Sequence, residues 1–297
     1  MPTVGELLGK LRMLVGGRRR TRLDDFIIYG QVAKGSMSKV YRARDPLRGI
    51  VVAIKILDPE RAAAMKKINT LYRDETEGEM AIRLRHPNLV VTYESGKLKD
   101  SEYLIMEYID GVGLNYLVET RSPRLVGKRL KIMRQVAEGV AYMHEQGYAH
   151  RDVCPRNVLL TVDDTPKMID FGLTVPLKPE FMRRGNRTGT PSYMAPELIR
   201  RRVVDHRVDV FAYGVSLYET FTGQLPWPGG DTMAKMVQHL NVPPRDPRSV
   251  NPQISAELAN LILDATESDP RRRVPSMTEV VERMARLEEK GTPDTQL

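Results

Sequence analysis

Near residue 110 the hydrophobic pattern of this chain changes period, and any fold must satisfy both halves. From Phe26 to Leu57, short apolar and β-branched runs such as Phe26-Ile27-Ile28 and Val51-Val52-Ala53-Ile54 alternate with glycine and polar turns, the pattern of antiparallel strands. Residues 60 to 85, rich in Ala, Glu, Lys, Met and Leu, predict a helix or a helix pair. His86-Pro87-Asn88 interrupts it, Leu89-Val90-Val91 restarts strand character, and Tyr103-Leu104-Ile105-Met106 adds one more strand. Beyond Gly111 the chain turns mostly helical: Leu130, Met133, Val136, Ala137, Val140 and Met143 recur at spacings of three and four until Gly147 closes the run. No internal repeat or low-complexity tract occurs, and Gly291 to Leu297 reads as a frayed tail. The pattern predicts an α+β protein with a small antiparallel sheet followed by a larger helical part.

Composition narrows the classes of function. With 41% hydrophobic and 28% charged residues over 297, the chain suits a soluble globular protein rather than a disordered one. No apolar run approaches the ~18 residues of a membrane-spanning helix and the N-terminus lacks the layout of a secretory signal, so a cytoplasmic location is expected. One cysteine excludes an internal disulfide and a cysteine-rich zinc site, and the five histidines include no helical pair at metal-ligand spacing. Any metal must be held by oxygen and arrive with its substrate. The net charge of +8 is spread through the chain, so a nucleic-acid-binding module explains the charge but none of the motifs below, and no nucleic acid is expected as a partner. One local concentration is Arg18-Arg19-Arg20-Thr21-Arg22, after Leu7, Leu8, Leu11, Leu14 and Val15 at helical spacing. Residues 7–22 could lie on an anionic membrane or a partner, or pack as a helix on the protein's own surface.

The chemistry is concentrated in His150-Arg151-Asp152-Val153-Cys154-Pro155-Arg156-Asn157, then Asp170-Phe171-Gly172, then Ala195-Pro196-Glu197. In this order they resemble the catalytic core of the eukaryotic-like protein kinase superfamily, Ser/Thr type, with a bacterial leaning. The resemblance covers about residues 25 to 288. It implies a two-lobed fold with an N-lobe over 25–108 and a C-lobe over 109–288, a basic leader over 1–24 and a tail over 289–297. It implies γ-phosphoryl transfer from Mg-ATP to Ser or Thr of a protein substrate, the chain itself being a candidate substrate. Asp152 would accept or orient the hydroxyl proton, and Asn157 and Asp170 would hold Mg2+ through hard oxygen ligands. Asp209 would support the catalytic loop from a central helix, and Arg273 would pair with Glu197.

Val32-Ala33-Lys34-Gly35-Ser36-Met37-Ser38-Lys39-Val40 occupies the place of the glycine-rich hairpin over ATP, with a Gly-Met-Ser flavour shared by several bacterial members. Ala33 and Ser38 replace two glycines, yet both are small enough for close backbone approach. Lys55 in Val52-Ala53-Ile54-Lys55 resembles the lysine on the α and β phosphates, and the helix glutamate it requires is Glu77 by register against His86. Glu75 and Glu79 compete, but two residues turn a helix by about 200 degrees, so they face away from Glu77. The segment Ile105 to Gly111 resembles the hinge, Met106 gating a rear pocket and backbone groups of Glu107 and Ile109 binding adenine.

Cys154 stands where Ser/Thr members normally carry a lysine that touches the transferred phosphate. One reading is a weak enzyme or a nucleotide-binding pseudokinase that acts as a scaffold. In the other, Arg156 supplies the missing charge, as an arginine at that place commonly does in tyrosine kinases. Gly189-Thr190-Pro191-Ser192-Tyr193-Met194 is Ser/Thr-like, with the Thr190 hydroxyl expected to steady Asp152. A small-molecule kinase of related fold is disfavoured by Ala195-Pro196-Glu197. The Cys154 thiol would lie near the active site, where oxidation could inhibit or the residue be inert. Arg151 precedes the catalytic Asp as in kinases whose activation loop is ordered by phosphate; the usual phosphosite is Asn186 here, leaving Thr188 as the candidate, or a loop ordered without phosphate. Arg183, Arg184 and Arg187, with Arg200, Arg201 and Arg202, flank this region and would either favour acidic substrates or form a solvated basic face.

Overall fold

In the computed structural model the described residues are 23–34, 38–59, 76–98, 101–180, 188–227 and 238–291. The leader up to residue 22, Gly35, Ser36 and Met37, Glu75, Arg183, Arg184, Asn186 and Arg187, and residues 292–297 lie outside them. Period-two alternation builds strands β1 (Ile27–Lys34), β2 (Ser38–Asp45) and β3 (Ile50–Leu57). Helix α1 (Glu77–Arg83) follows, then β4 (Thr92–Lys97) and β5 (Glu102–Glu107), giving an antiparallel sheet of order β1-β2-β3-β5-β4. Tyr41, Ala43, Val52, Ile54, Tyr103 and Ile105 alternate onto one face and form a core with Phe26. Val40, Ala53 and Lys55 belong by the same alternation to the other face.

The strand character expected at Leu89-Val90-Val91 begins instead at Thr92. Leu89 and Val90 are buried, which accounts for their apolar character, but Leu89 makes an isolated bridge to Met168. Contacts divide the chain into two compact units, the first running to Arg85 and including Val90–Ile109, the second comprising His86–Leu89 and everything from Asp110.

The second unit begins with β6 (Gly111–Gly113), α2 (Leu114–Glu119) and α3 (Arg129–Glu145). On α3 the expected stripe of Leu130, Met133, Val136, Ala137, Val140 and Met143 is buried. Each large member stabilises the fold by about 1.5–3 kcal/mol. Short strands β7 (Tyr148–Ala149), β8 (Val158–Thr161), β9 (Pro166–Met168) and β10 (Val175–Pro176) carry the loops of interest, with β6, β8 and β9 in one sheet. Helices α4 (Pro196–Ile199), α5 (Arg207–Thr222), α6 (Gln238–Asn241), α7 (Ala256–Ala265) and α8 (Met277–Glu289) complete the unit. Helix α5 is buried almost all round, and two of its hydroxyls are satisfied within it, Ser216 and Thr220 donating to the carbonyls of Ala212 and Ser216.

Candidate active site

In the first unit, register places Lys55 opposite Val40 on one side and Leu104 on the other. Its Nζ donates to Glu77 Oε1 at 2.7 Å, and both side chains are buried. Helix α1 supplies Glu77 because Thr76 caps it: Glu79 N–H donates to Thr76 Oγ1 at 3.2 Å while Glu79 Oε2 accepts from Thr76 N–H at 2.8 Å. That capping box consumes Glu79 and leaves Glu77 to face the lysine. Close packing helps, since a Cβ on Gly78 would fall 2.3 Å from Ser95 Cβ on β4.

Ala33 and Lys34 pair with Val40 and Lys39 across the β1–β2 hairpin, Ser38 opens β2, and Val32 is half exposed. Gly35, Ser36 and Met37 at its tip lie outside the described residues. Met106 is buried on β5, and Ile109 follows that strand. The Glu107 carboxylate accepts from Val91 N–H at 2.8 Å and its own N–H donates to Val91 O at 2.8 Å, which fixes the end of β5.

In the second unit the loop from His150 to Asn157 hangs on one buried carboxylate. Asp209 Oδ2 accepts from His150 N–H and Oδ1 from Arg151 N–H, each at 2.7 Å, and His144 Nε2 lies 2.8 Å from Oδ2. Burial alone would raise the Asp209 carboxyl, but the hydrogen bond and charge of His144, with His150 and the Arg151 N–H, hold it below the usual carboxylate range. Arg151 adopts a left-handed φ of 67°, which turns the chain between His150 and Asp152.

Both Asp152 oxygens are engaged. Oδ2 accepts from Asn157 Nδ2 at 2.8 Å, and Oδ1 accepts from the backbone N–H of Thr190 at 2.7 Å. The expected Thr190 hydroxyl contact is thus replaced by its amide, and the hydroxyl lies 3.9 Å from Cys154 Sγ, with no lysine there to bridge it to Asp152. Gly189 makes the approach feasible: at φ 132° its missing Cβ would meet the Arg151 carbonyl at 2.9 Å.

The β8–β9 hairpin sets Asn157 beside Asp170. Val158 pairs with Met168 and Ile169 N–H donates to Asn157 O at 3.0 Å, so the residues just outside that pair come to the same end of the hairpin. Asn157 gives its amide nitrogen to Asp152, so Oδ1 is the atom of that side chain with which it could ligate a cation, while Asp170 Oδ1 accepts from Gly172 N–H at 3.0 Å. Among the described residues no group of three or more His, Cys, Asp or Glu could hold a metal. Two hard oxygen donors fit Mg2+, which keeps water and phosphate oxygens in its shell.

Cys154 is 1% exposed, and its thiol is pushed up to about 12 by burial foremost and by the Asp152 charge, with hydrogen bonds from Thr190 and the backbone opposing. It is a neutral thiol, so iodoacetamide at pH 8 is expected to label it about 10³-fold more slowly in the folded protein than after denaturation. Equal rates in mass-spectrometric kinetics would contradict this burial. Arg156 is exposed on the turn Pro155–Asn157. Sequence reasoning missed its neighbours, Tyr193 and Glu219, because nothing in a helical pattern marks Glu219 as reaching the loop. Tyr193 donates its hydroxyl to Glu219 Oε2, whose carboxyl is raised by burial and held back by that bond and by Arg156. Thr188 is half buried, and Glu197 receives Arg273 in a buried ion pair at 2.7 Å.

The protein kinase domain model matches residues 26–284, and the chain belongs to that family. It is 31% identical over 262 residues to the serine/threonine-protein kinase PrkC of Bacillus subtilis, covering 88% of this chain and 40% of that protein. The serine/threonine-protein kinases PknB of Mycolicibacterium smegmatis (31% over 267 residues) and Mycobacterium tuberculosis (30% over 271 residues) each match 88% of this chain and 42% of their own length. The chain therefore spans about two fifths of these relatives. No described helix is long and apolar enough to cross a membrane.

Proposed function

We propose that this protein transfers the γ-phosphoryl group of Mg-ATP to Ser or Thr hydroxyls of proteins, itself included. The observation that carries the reading is the Asp152 carboxylate, oriented by the Thr190 amide and the Asn157 side chain, with Asp170 beside Asn157. Asp152 orients the attacking hydroxyl and takes up its proton. Asn157 Oδ1 and Asp170 are the ligands for Mg2+, which neutralises charge on the phosphates when bound. Lys55, held by Glu77, is the contact to the α and β phosphates, the segment Val32–Val40 is the one assigned to them by the resemblance, and Glu107 and Ile109 present backbone groups to adenine. Arg156 supplies cationic charge absent at Cys154. Catalysis then rests on positioning and charge rather than a covalent intermediate.

The test is transfer of labelled phosphate from Mg-ATP to the protein itself, to an acidic protein and to a basic one, with phosphoamino-acid identification. Label on Ser or Thr supports the reading. For Arg156→Ala we expect kcat to fall about 10-fold or more, the scale of one lost transition-state charge contact; full turnover would remove Arg156 from the mechanism. The neutral buried thiol favours a second reading, a pseudokinase that binds nucleotide without transfer. It is distinguished by ATP raising Tm in a protein that labels nothing.

A further inference from the structure

Helix α4 ends in a Schellman motif built on an unusual residue. Arg202 N–H donates to Glu197 O at 2.9 Å and Arg201 N–H to Leu198 O at 3.1 Å, the paired bonds of that cap. Its left-handed position, normally glycine, is Arg201 at φ 53°. The motif holds three consecutive arginines in an ordered backbone. Arg200 is committed to the fold, its Nη2 donating to Leu240 O at 2.7 Å. Arg201 and Arg202 are exposed, and neither has a carboxylate partner among the described residues. The nearest carboxylate along the chain, Asp205, is taken by Arg207 through Nε and Nη2. Beyond them Val203 is 71% exposed.

This strip is anchored on the body that carries Asp152. Thr190, whose amide meets Asp152, leads through the turn Pro191–Tyr193 into α4, and Glu197 in α4 is clamped by Arg273 Nη1 and Nη2 at 2.7 and 3.0 Å. Two guanidinium groups with no carboxylate partner among the described residues, beside an exposed Val and next to the segment that orients the catalytic carboxylate, form a surface complementary to carboxylates. Guanidinium groups favour planar, bidentate partners, so Glu and Asp side chains suit them better than a diffuse anionic surface.

We propose that Arg201 and Arg202 form a docking strip for an acidic segment of the protein substrate, making this a kinase that selects Ser/Thr sites in Glu- and Asp-rich surroundings. The inference rests on the phosphotransfer reading above. The test compares two fluorescent peptides with one Ser, flanked by Glu in one and by Gln in the other, against the full chain and R201G/R202A. Glycine accepts the left-handed position without strain, so the variant keeps its fold and its Tm is at or above wild type.

Anisotropy should show the Glu peptide binding the wild type more tightly. The variant should lose roughly fivefold of that preference, the scale of two exposed charge contacts, and 0.5 M salt should erase it. In turnover the loss should fall on KM, with kcat unchanged. An undiminished Glu-over-Gln preference in the variant, or none in the wild type, overturns the proposal. If the preference requires the arginines while neither peptide is phosphorylated, the strip stands and the phosphotransfer reading fails.

Discussion

Asp152→Asn is expected to lower kcat for phosphotransfer by about 10²–10⁴-fold, the range of a positioned acid–base group, while ATP continues to raise Tm. The substitution keeps the shape of the side chain and changes what it can do. In the wild type both oxygens accept, one from Thr190 N–H and one from Asn157 Nδ2. The asparagine amide has one accepting oxygen and one donating nitrogen, so one of those two donors must turn to another partner. The loop itself hangs on Asp209 through the amides of His150 and Arg151, which the substitution does not touch. A large fall in kcat with intact folding therefore reports lost proton acceptance rather than a collapsed loop. Steady-state labelling with ATP thermal-shift controls separates the outcomes; unchanged kcat would remove Asp152 from the chemistry.

For Glu197→Ala the expected effect is on stability, a loss of about 3–5 kcal/mol, which is what breaking a buried ion pair by removing one partner costs. Arg273 has a side-chain exposure of 0%, donates from Nη1 and Nη2 to Glu197, and lies over the Phe211 ring at 5.0 Å. Without Glu197 its charge stays buried, with the carbonyls of Arg207 and Glu267 as its remaining acceptors among the described residues. At about 2–4 °C per kcal/mol for a protein of this size, Tm should drop by roughly 10 °C. The double variant E197A/R273M should recover part of that loss, because no uncompensated charge remains. A single variant within 2 °C of wild type, at this scale of effect, would show that the pair contributes little.

Much of the candidate site was legible in the sequence. Lys55 on β3 meets Glu77, as the register before His86 predicted, Asp152 accepts from Asn157, the Ile169 amide before Asp170 meets Asn157, and Glu197 pairs with Arg273. Gly35, Ser36 and Met37, the leader and Asn186 fall outside the described residues, so the expectations placed on them stay as read from the sequence. The apolar Leu89-Val90-Val91 misled because burial without a strand leaves the same mark as a strand.

By itself the sequence determined what short-range physics encodes: the change from period two to period 3.6, the helix stripe from Leu130 to Met143, and which side chains carry the chemistry. Tertiary structure alone decided which donor each of those groups meets. Glu79 closes a cap, the Thr190 amide rather than its hydroxyl reaches Asp152, Cys154 is sealed as a neutral thiol, and Arg201 occupies a glycine position, exposed at the end of α4. The reason is that periodicity is a property of consecutive residues. Hydrogen-bond partnership, burial and the resulting electrostatics depend on groups brought together from distant parts of the chain, and no local pattern specifies that distance.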